Sequence, residues 1–231
     1  PNAVICLAAG LAARPRELSM ALQAGIVGLP NVGKSTLFNA LTAAGAAAAN
    51  FPFCTIDPNV GVVPVPDKRL ELINSVIQSK QILPAAVEIV DIAGLVRGAA
   101  TGAGLGNKFL GHIRATDAVL HVVRCCDDED VIHVDGSPDP DRDIETIDTE
   151  LALADLESVS KRVDRHRKAS KTGDKAELFL LSVFEKIEKL LNAGKPARSG
   201  SWTEDELPVV KEAQLITAKP VLYVCNVDEK G

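Results

Sequence analysis

With 231 residues, 46% of them hydrophobic, the chain can bury a core, either as one domain with an insertion or as two small ones. A net charge of −6 excludes polyanion binding by bulk charge, so any nucleic-acid contact needs a local basic patch. The apolar runs break well short of the ~20 residues a membrane helix requires. Five cysteines, Cys6, Cys54, Cys125, Cys126 and Cys225, show neither a disulfide framework nor C-x-x-C spacing, as expected in a reducing compartment.

Residues 1–19 carry Arg14 and Arg16 against the single acid Glu17, with many alanines. That composition fits the remnant of an organellar transit peptide, and equally an upstream segment without fixed structure. Two localisations follow, cytoplasmic or, with a transit remnant, the chloroplast stroma or another organelle.

The globular pattern opens with an apolar strand over 22–27, followed by Gly28-Leu29-Pro30-Asn31-Val32-Gly33-Lys34-Ser35 and a helix-like stretch over 36–42. This is the phosphate-loop pattern G-x-x-x-x-G-K-S/T in the strand–loop–helix setting that gives it meaning. Backbone N–H groups of residues 28–36, with Asn31, Val32, Gly33 and Thr36 among them, converge on the β-phosphate. Lys34 reaches the β- and γ-oxygens, and Ser35 ligates Mg²⁺. The pattern predicts binding of a nucleoside triphosphate.

Further strands are predicted over 60–65, 86–90, 119–124 and 221–225. Strands alternating with helices argue for an α/β sheet that binds its ligand at the strands' carboxyl ends. Between the first two strands Thr55 offers a second Mg²⁺ ligand, on a loop ordered by the γ-phosphate. After the third strand comes Asp91-Ile92-Ala93-Gly94-Leu95. Asp91 holds Mg²⁺ through water, and Gly94 lets a backbone N–H approach the γ-phosphate. Many GTPases place glutamine next, to orient the attacking water; Leu95 orients nothing, so intrinsic turnover should be slow. The substitutes are His133, following the acidic run 127–130, and His112, in the helix after the glycine-rich stretch 98–106.

Over 144–192, apolar or small residues fall at 152, 156, 159 and 163, then at 176, 180, 183, 187 and 190. This spacing predicts two helices joined by a turn at 171–174, an antiparallel coiled-coil hairpin. Its tip collects Lys161, Arg162, Arg165, Arg167, Lys168, Lys171 and Lys175 against Asp164 and Asp174. That patch is either a solvated face or a contact to RNA phosphates without sequence readout.

Four stretches together resemble the YchF (Obg-like ATPase) family of translation-factor-type P-loop NTPases. They are N-F-P-F-C-T-I-D-P-N at 50–59, D-I-A-G-L-V-R-G-A at 91–99, G-L-G-N-K-F-L at 104–110 and V-D-G-S-P-D-P-D-R-D-I-E-T-I at 134–147. The resemblance covers residues 21–231. It implies a Ras-like G domain, a mostly parallel sheet with flanking helices, split into 20–143 and 195–231 by a helical insertion at 144–194. A C-terminal TGS domain and the last base-contacting loop would follow. It also implies ribosome association, and a histidine of the family pattern at His133. Guanine-specific relatives read the base with N-K-x-D, whereas here the strand end is Asn226-Val227-Asp228-Glu229. Valine lacks the lysine's contacts and glutamate is one methylene too long, so guanine preference should be weak. Asn226, Val227 and Glu229 are the expected base contacts, unless Asp228 takes the aspartate's role through a bulge.

The expectation is a monomeric Mg²⁺-dependent triphosphatase for ATP or GTP, with a ribosome or RNA as partner and no membrane. The alternative is a nucleotide-gated ribosome- or RNA-binding module whose hydrolysis is incidental. A small-molecule kinase is a third option, disfavoured by the D-x-x-G and threonine loops.

Overall fold

The computed structural model describes residues 22–44, 60–92, 105–126, 131–134 and 136–228. Five strands, β1 (Leu22–Val27), β2 (Val60–Pro64), β3 (Ala86–Asp91), β4 (Ala118–Arg124) and β5 (Val221–Asn226), form one sheet in the order β2-β3-β1-β4-β5. Each lies within a residue of its predicted span. All neighbours are parallel except β2, which runs antiparallel to β3. The central strand β1 is buried over Ala24–Val27, the continuous apolar run of a strand covered on both faces, whereas the edge strand β5 is mostly exposed, with only Val221 and Val224 half-buried.

Register fixes where the chemistry goes. Ile26 pairs with Asp91, Val27 with His121 and Arg124 with Asn226, so the carboxyl ends of four parallel strands share one edge. The residues that follow β1, β3, β4 and β5 therefore meet there.

In the chain's first half, α1 (Lys34–Ala44) and α3 (Leu105–Ala115) pack on the sheet core through Leu37, Phe38, Leu110 and Ile113, whereas α2 (Lys68–Val76) buries none of its residues. Helix α4 (Pro140–Ala169) begins four residues ahead of the expected start of the insertion at 144, well before the apolar repeat that opens at 152. Asp139 caps it by accepting from the Arg142 N–H, Pro140 occupies the first turn, and Asp141 and Asp143 face its positive end. Its early turns give Ile147, Leu151 and Ala154 to the sheet core, so α4 is rooted in the sheet before it leaves it. Beyond, it packs along α5 (Lys175–Asn192) through Val159, Val163, Val183, Phe184, Ile187 and Leu191. Ala176 is exposed and Leu190 half-buried; Phe184 and Leu191 carry those contacts instead, because α5 also packs against α6 (Glu206–Glu212) and its apolar face is wider than a coiled-coil seam. Gly173, at φ 78°, makes the turn between α4 and α5.

Among the described residues, no helix is long and apolar enough to cross a membrane.

His121 is buried on β4, 5.4 Å from the Tyr223 ring. Desolvation, with the nearby Arg198 cation second, pushes its pKa from 6.5 down to about 4. The unfolded chain thus takes up a proton that the native state refuses between pH 6.5 and about 4. Stability is full above that window and falls through it as pH drops, by on the order of 3 kcal/mol from this group. Urea unfolding from pH 7 to pH 4 should show that loss, and His121→Phe should flatten it.

Candidate functional site

The loop after β1 is shaped by three backbone constraints. Gly28 lies so close to β4 that a Cβ there would sit 2.5 Å from the Val122 carbonyl oxygen. Asn31 adopts a left-handed conformation at φ 62°, and Gly33, at φ 99°, leaves 2.8 Å between a built Cβ and the Asn226 amide nitrogen. Only glycine meets both demands at position 33. The loop then enters α1 at Lys34, where helix N–H groups and dipole favour an anion.

Lys34 is 8% exposed and folds over this loop, donating to the Leu29 carbonyl at 2.7 Å. Burial lowers its pKa, and the Asp91 carboxylate opposes that shift. Ser35 donates to Asp91 Oδ2 at 3.2 Å, bringing a hydroxyl and a carboxylate from the ends of α1 and β3 together. Such hard oxygen donors suit Mg²⁺, which keeps several waters and takes substrate phosphate oxygens. Among the described residues no cluster of three His, Cys, Asp or Glu could hold a metal by itself, which a site of this kind does not require.

These residues form one wall of a cavity of 380 Å³, with Asn31, Gly33, Lys34, Ser35 and Thr36 lining it. The other wall comes from the last residues of β4 and β5, Arg124 and Asn226, and from Cys126 and Val131 in the chain after β4. Val32, buried at 1% exposure, supports the loop from beneath, and its carbonyl accepts from the Asn226 amide at 3.1 Å. Asn226 therefore braces the phosphate loop from the last strand, beyond the base contact expected of it. Val227 is half exposed beyond the strand end.

Arg124 is not among the residues that the sequence motifs single out. It is 3% exposed, donating through Nε to the Cys126 carbonyl and through one Nη to the Val131 carbonyl, both at 2.9 Å. Its signal in the sequence is a charged residue ending an apolar strand, the position at which α/β folds bind ligands.

The two histidines are not brought to the cavity. His112 is exposed on α3. His133 is 5% exposed, and its Nε2 lies 2.9 Å from Asp143 Oδ2, in the first turn of α4. The structure holds it on the helix, away from the cavity lining. Thr55, Gly94 and Glu229 lie outside the described residues.

At the far end of the helical pair Lys161, Arg165, Arg167, Lys168, Lys171 and Lys175 are exposed. Arg162 is turned inward, donating to the Ala213 carbonyl and lying 5.5 Å from the Phe184 ring centroid, so it does not belong to the basic face. Arg167 pairs with Glu185 and Asp164, and Lys161 with Glu157.

A larger cleft of 940 Å³ opens at the opposite sheet edge, beside Asp117 and Pro220. Three of its four cations are committed internally, Arg114 to the Ala154 carbonyl, Arg198 to Asp148, and Lys219 to the Arg114 and Thr116 carbonyls, while Lys211 is exposed on α6. The smaller cavity carries the convergent donors.

Comparison with known proteins agrees with this geometry. Residues 23–163 match the family model described as 50S ribosome-binding GTPase. The chain is 55% identical over 210 residues to the ribosome-binding ATPase YchF of Bacillus subtilis (strain 168), covering 91% of this chain and 57% of that protein. It is 48% identical over 215 residues to Obg-like ATPase 1 of Oryza sativa subsp. indica, covering 93% and 55%. The solved structure of the Schizosaccharomyces pombe YchF GTPase matches with a TM-score of 0.77 at 42% identity, covering 90% of this chain and 57% of that one. The chain thus spans a little over half the length of these relatives. Similarity of this depth, running through strands, phosphate loop and helical pair alike, shows that the chain belongs to the YchF/Obg-like ATPase family, on a P-loop GTPase fold.

Proposed function

We propose that this protein is a Mg²⁺-dependent nucleoside triphosphatase that binds and slowly hydrolyses ATP and GTP and acts in association with the ribosome. The carrying observation is the meeting of Lys34, Ser35 and Asp91 at one loop on the carboxyl edge of the sheet. Residues 28–36 cradle the phosphates. Ser35 and Thr55, with Asp91, would hold Mg²⁺, which when bound would supply charge neutralisation at the phosphates, and the Gly94 N–H would serve the γ-phosphate. Asn226, Val227 and Glu229 face the base, and weak guanine preference follows from Val227 and Glu229 standing where a lysine and an aspartate would read it. His133 orients the attacking water in a closed state, in place of the glutamine that Leu95 replaces. The ribosome enters through what the relatives' names say of them and through the exposed cations of the helical tip.

Those exposed cations also favour the second reading, a nucleotide-gated ribosome- or RNA-binding module. Phosphate release with ATP and with GTP, with and without ribosomes, tests both, alongside affinities for the two nucleotides. ATP should bind no more weakly than GTP, and ribosomes should raise the hydrolysis rate. GTP binding about a hundredfold tighter, about 2.7 kcal/mol, would overturn the base reading. Ribosome binding that depends on nucleotide without stimulating release would favour the second reading.

A further inference from the structure

The segment that rims the cavity is fastened at three consecutive residues to three different elements. The Val131 carbonyl accepts from Arg124 at the end of β4, at 2.9 Å. The Ile132 carbonyl accepts from the side chain of Asn31 in the phosphate loop, at 3.2 Å. The His133 imidazole bonds Asp143 in the first turn of α4, at 2.9 Å. Strand, phosphate loop and the root of the helical pair are thus tied through one short stretch of chain, and a shift of that stretch strains at least one tie.

The three ties are unequal. Val131 lines the cavity, whereas Ile132 is 82% exposed and the His133 and Asp143 side chains are 2% and 4% exposed. Asp143 uses both oxygens, Oδ2 towards His133 and Oδ1 towards the Arg142 guanidinium at 3.3 Å. A carboxylate this buried depends on those partners, so the imidazole is held firmly. Yet the backbone two residues away already touches the site.

We infer that Asp143 is a positioning residue that holds His133 off the phosphate cavity in the resting state and yields it when α4 shifts at its root. The inference rests on the proposed water-orienting role of His133. Because Asp143 belongs to the helix that carries the basic tip, a partner engaging that tip acts on the first turn of the same rod. Asn31 supplies the matching tie from the nucleotide side. The histidine is therefore the point at which partner and nucleotide are read together, a two-state element biased from both ends.

The test is single-turnover ATP hydrolysis by the wild type, Asp143→Asn, His133→Ala and the double variant, with nucleotide affinity and melting temperature for each. Asp143→Asn should raise the rate at least about threefold without ribosomes, leave affinity within about a factor of two, and reduce the further stimulation by ribosomes. The double variant should fall to the rate of His133→Ala. An Asp143→Asn rate that is unchanged, or as low as that of His133→Ala, overturns the inference while leaving the role of His133 standing; the low rate would make the carboxylate an orienting partner in the chemistry. Wild-type hydrolysis by His133→Ala instead sinks the underlying reading. Should Asp143→Asn fail to fold, modification of His133 by diethyl pyrocarbonate in the wild type decides. It should be slow in the free protein and faster with ribosomes and a non-hydrolysable ATP analogue; protection in both conditions overturns the inference.

Discussion

Replacing Lys34 with methionine is expected to weaken ATP binding by at least about a hundredfold, about 2.7 kcal/mol, with little change in the melting temperature. Lys34 is buried against the phosphate loop, and its ammonium donates to the Leu29 carbonyl. Methionine keeps most of the stem but gives up the charge opposite the triphosphate. Charge-assisted bonds to phosphate are the strong ones, so their loss falls on binding. The cost to folding is small because two changes oppose each other. A carbonyl loses its donor, while a cation whose pKa burial already lowers is relieved of desolvation. Titration with a fluorescent ATP analogue and a thermal melt separate the two. Full affinity in Lys34→Met would remove the phosphate-binding assignment of this loop.

Asp155→Ala is expected to cost about 3–5 kcal/mol of folding stability, because it removes a buried charge on which several donors converge. This carboxylate sits mid-way along α4 and is fully buried. Its Oδ1 accepts from the Ile216 N–H at 3.1 Å, and its Oδ2 accepts from the Thr217 N–H and hydroxyl, each at 2.8 Å. Thr217 in turn accepts from the Ala197 N–H at 3.2 Å, so one side chain ties α4 to two 3-10 turns, Ala197–Ser199 and Ile216–Ala218. Desolvation raises the Asp155 pKa despite those bonds and the Arg114 cation 3.8 Å away. Alanine would leave two buried N–H groups and a hydroxyl without an acceptor. Asp155→Asn should cost less, since its amide oxygen can still accept from one side of the turn. Urea unfolding of both variants measures the order, and equal stability of Asp155→Ala and wild type would refute it.

The strands and the phosphate loop were legible because each is local. Period and apolar run length mark a strand over 22–27, and Gly28, Gly33, Lys34 and Ser35 carry their meaning through a spacing that the backbone itself imposes. The helical pair was legible in outline, since a repeat of three and four residues is a property of one helix face. Its root was not. Nothing in the spacing of 152, 156, 159 and 163 says that α4 starts at Pro140 or that Ile147 and Leu151 belong to the sheet core. Likewise seven basic residues in a short stretch read as one patch, but a helix surface turns about 100° per residue, and Arg162 faces inward.

What the sequence by itself determined is therefore the α/β architecture, the family, and the phosphate-loop motif, all encoded in contiguous residues whose chemistry depends on their neighbours. The tertiary structure decided everything that joins distant segments: Arg124 and Asn226 facing the phosphate loop, Asp155 fastening a turn 61 residues away, and His133 held on Asp143 while the residue two before it lines the cavity. The physical reason is that a side chain's partner across the sheet is set by strand order and register. Those follow from the packing of all the elements at once, and no single segment carries them.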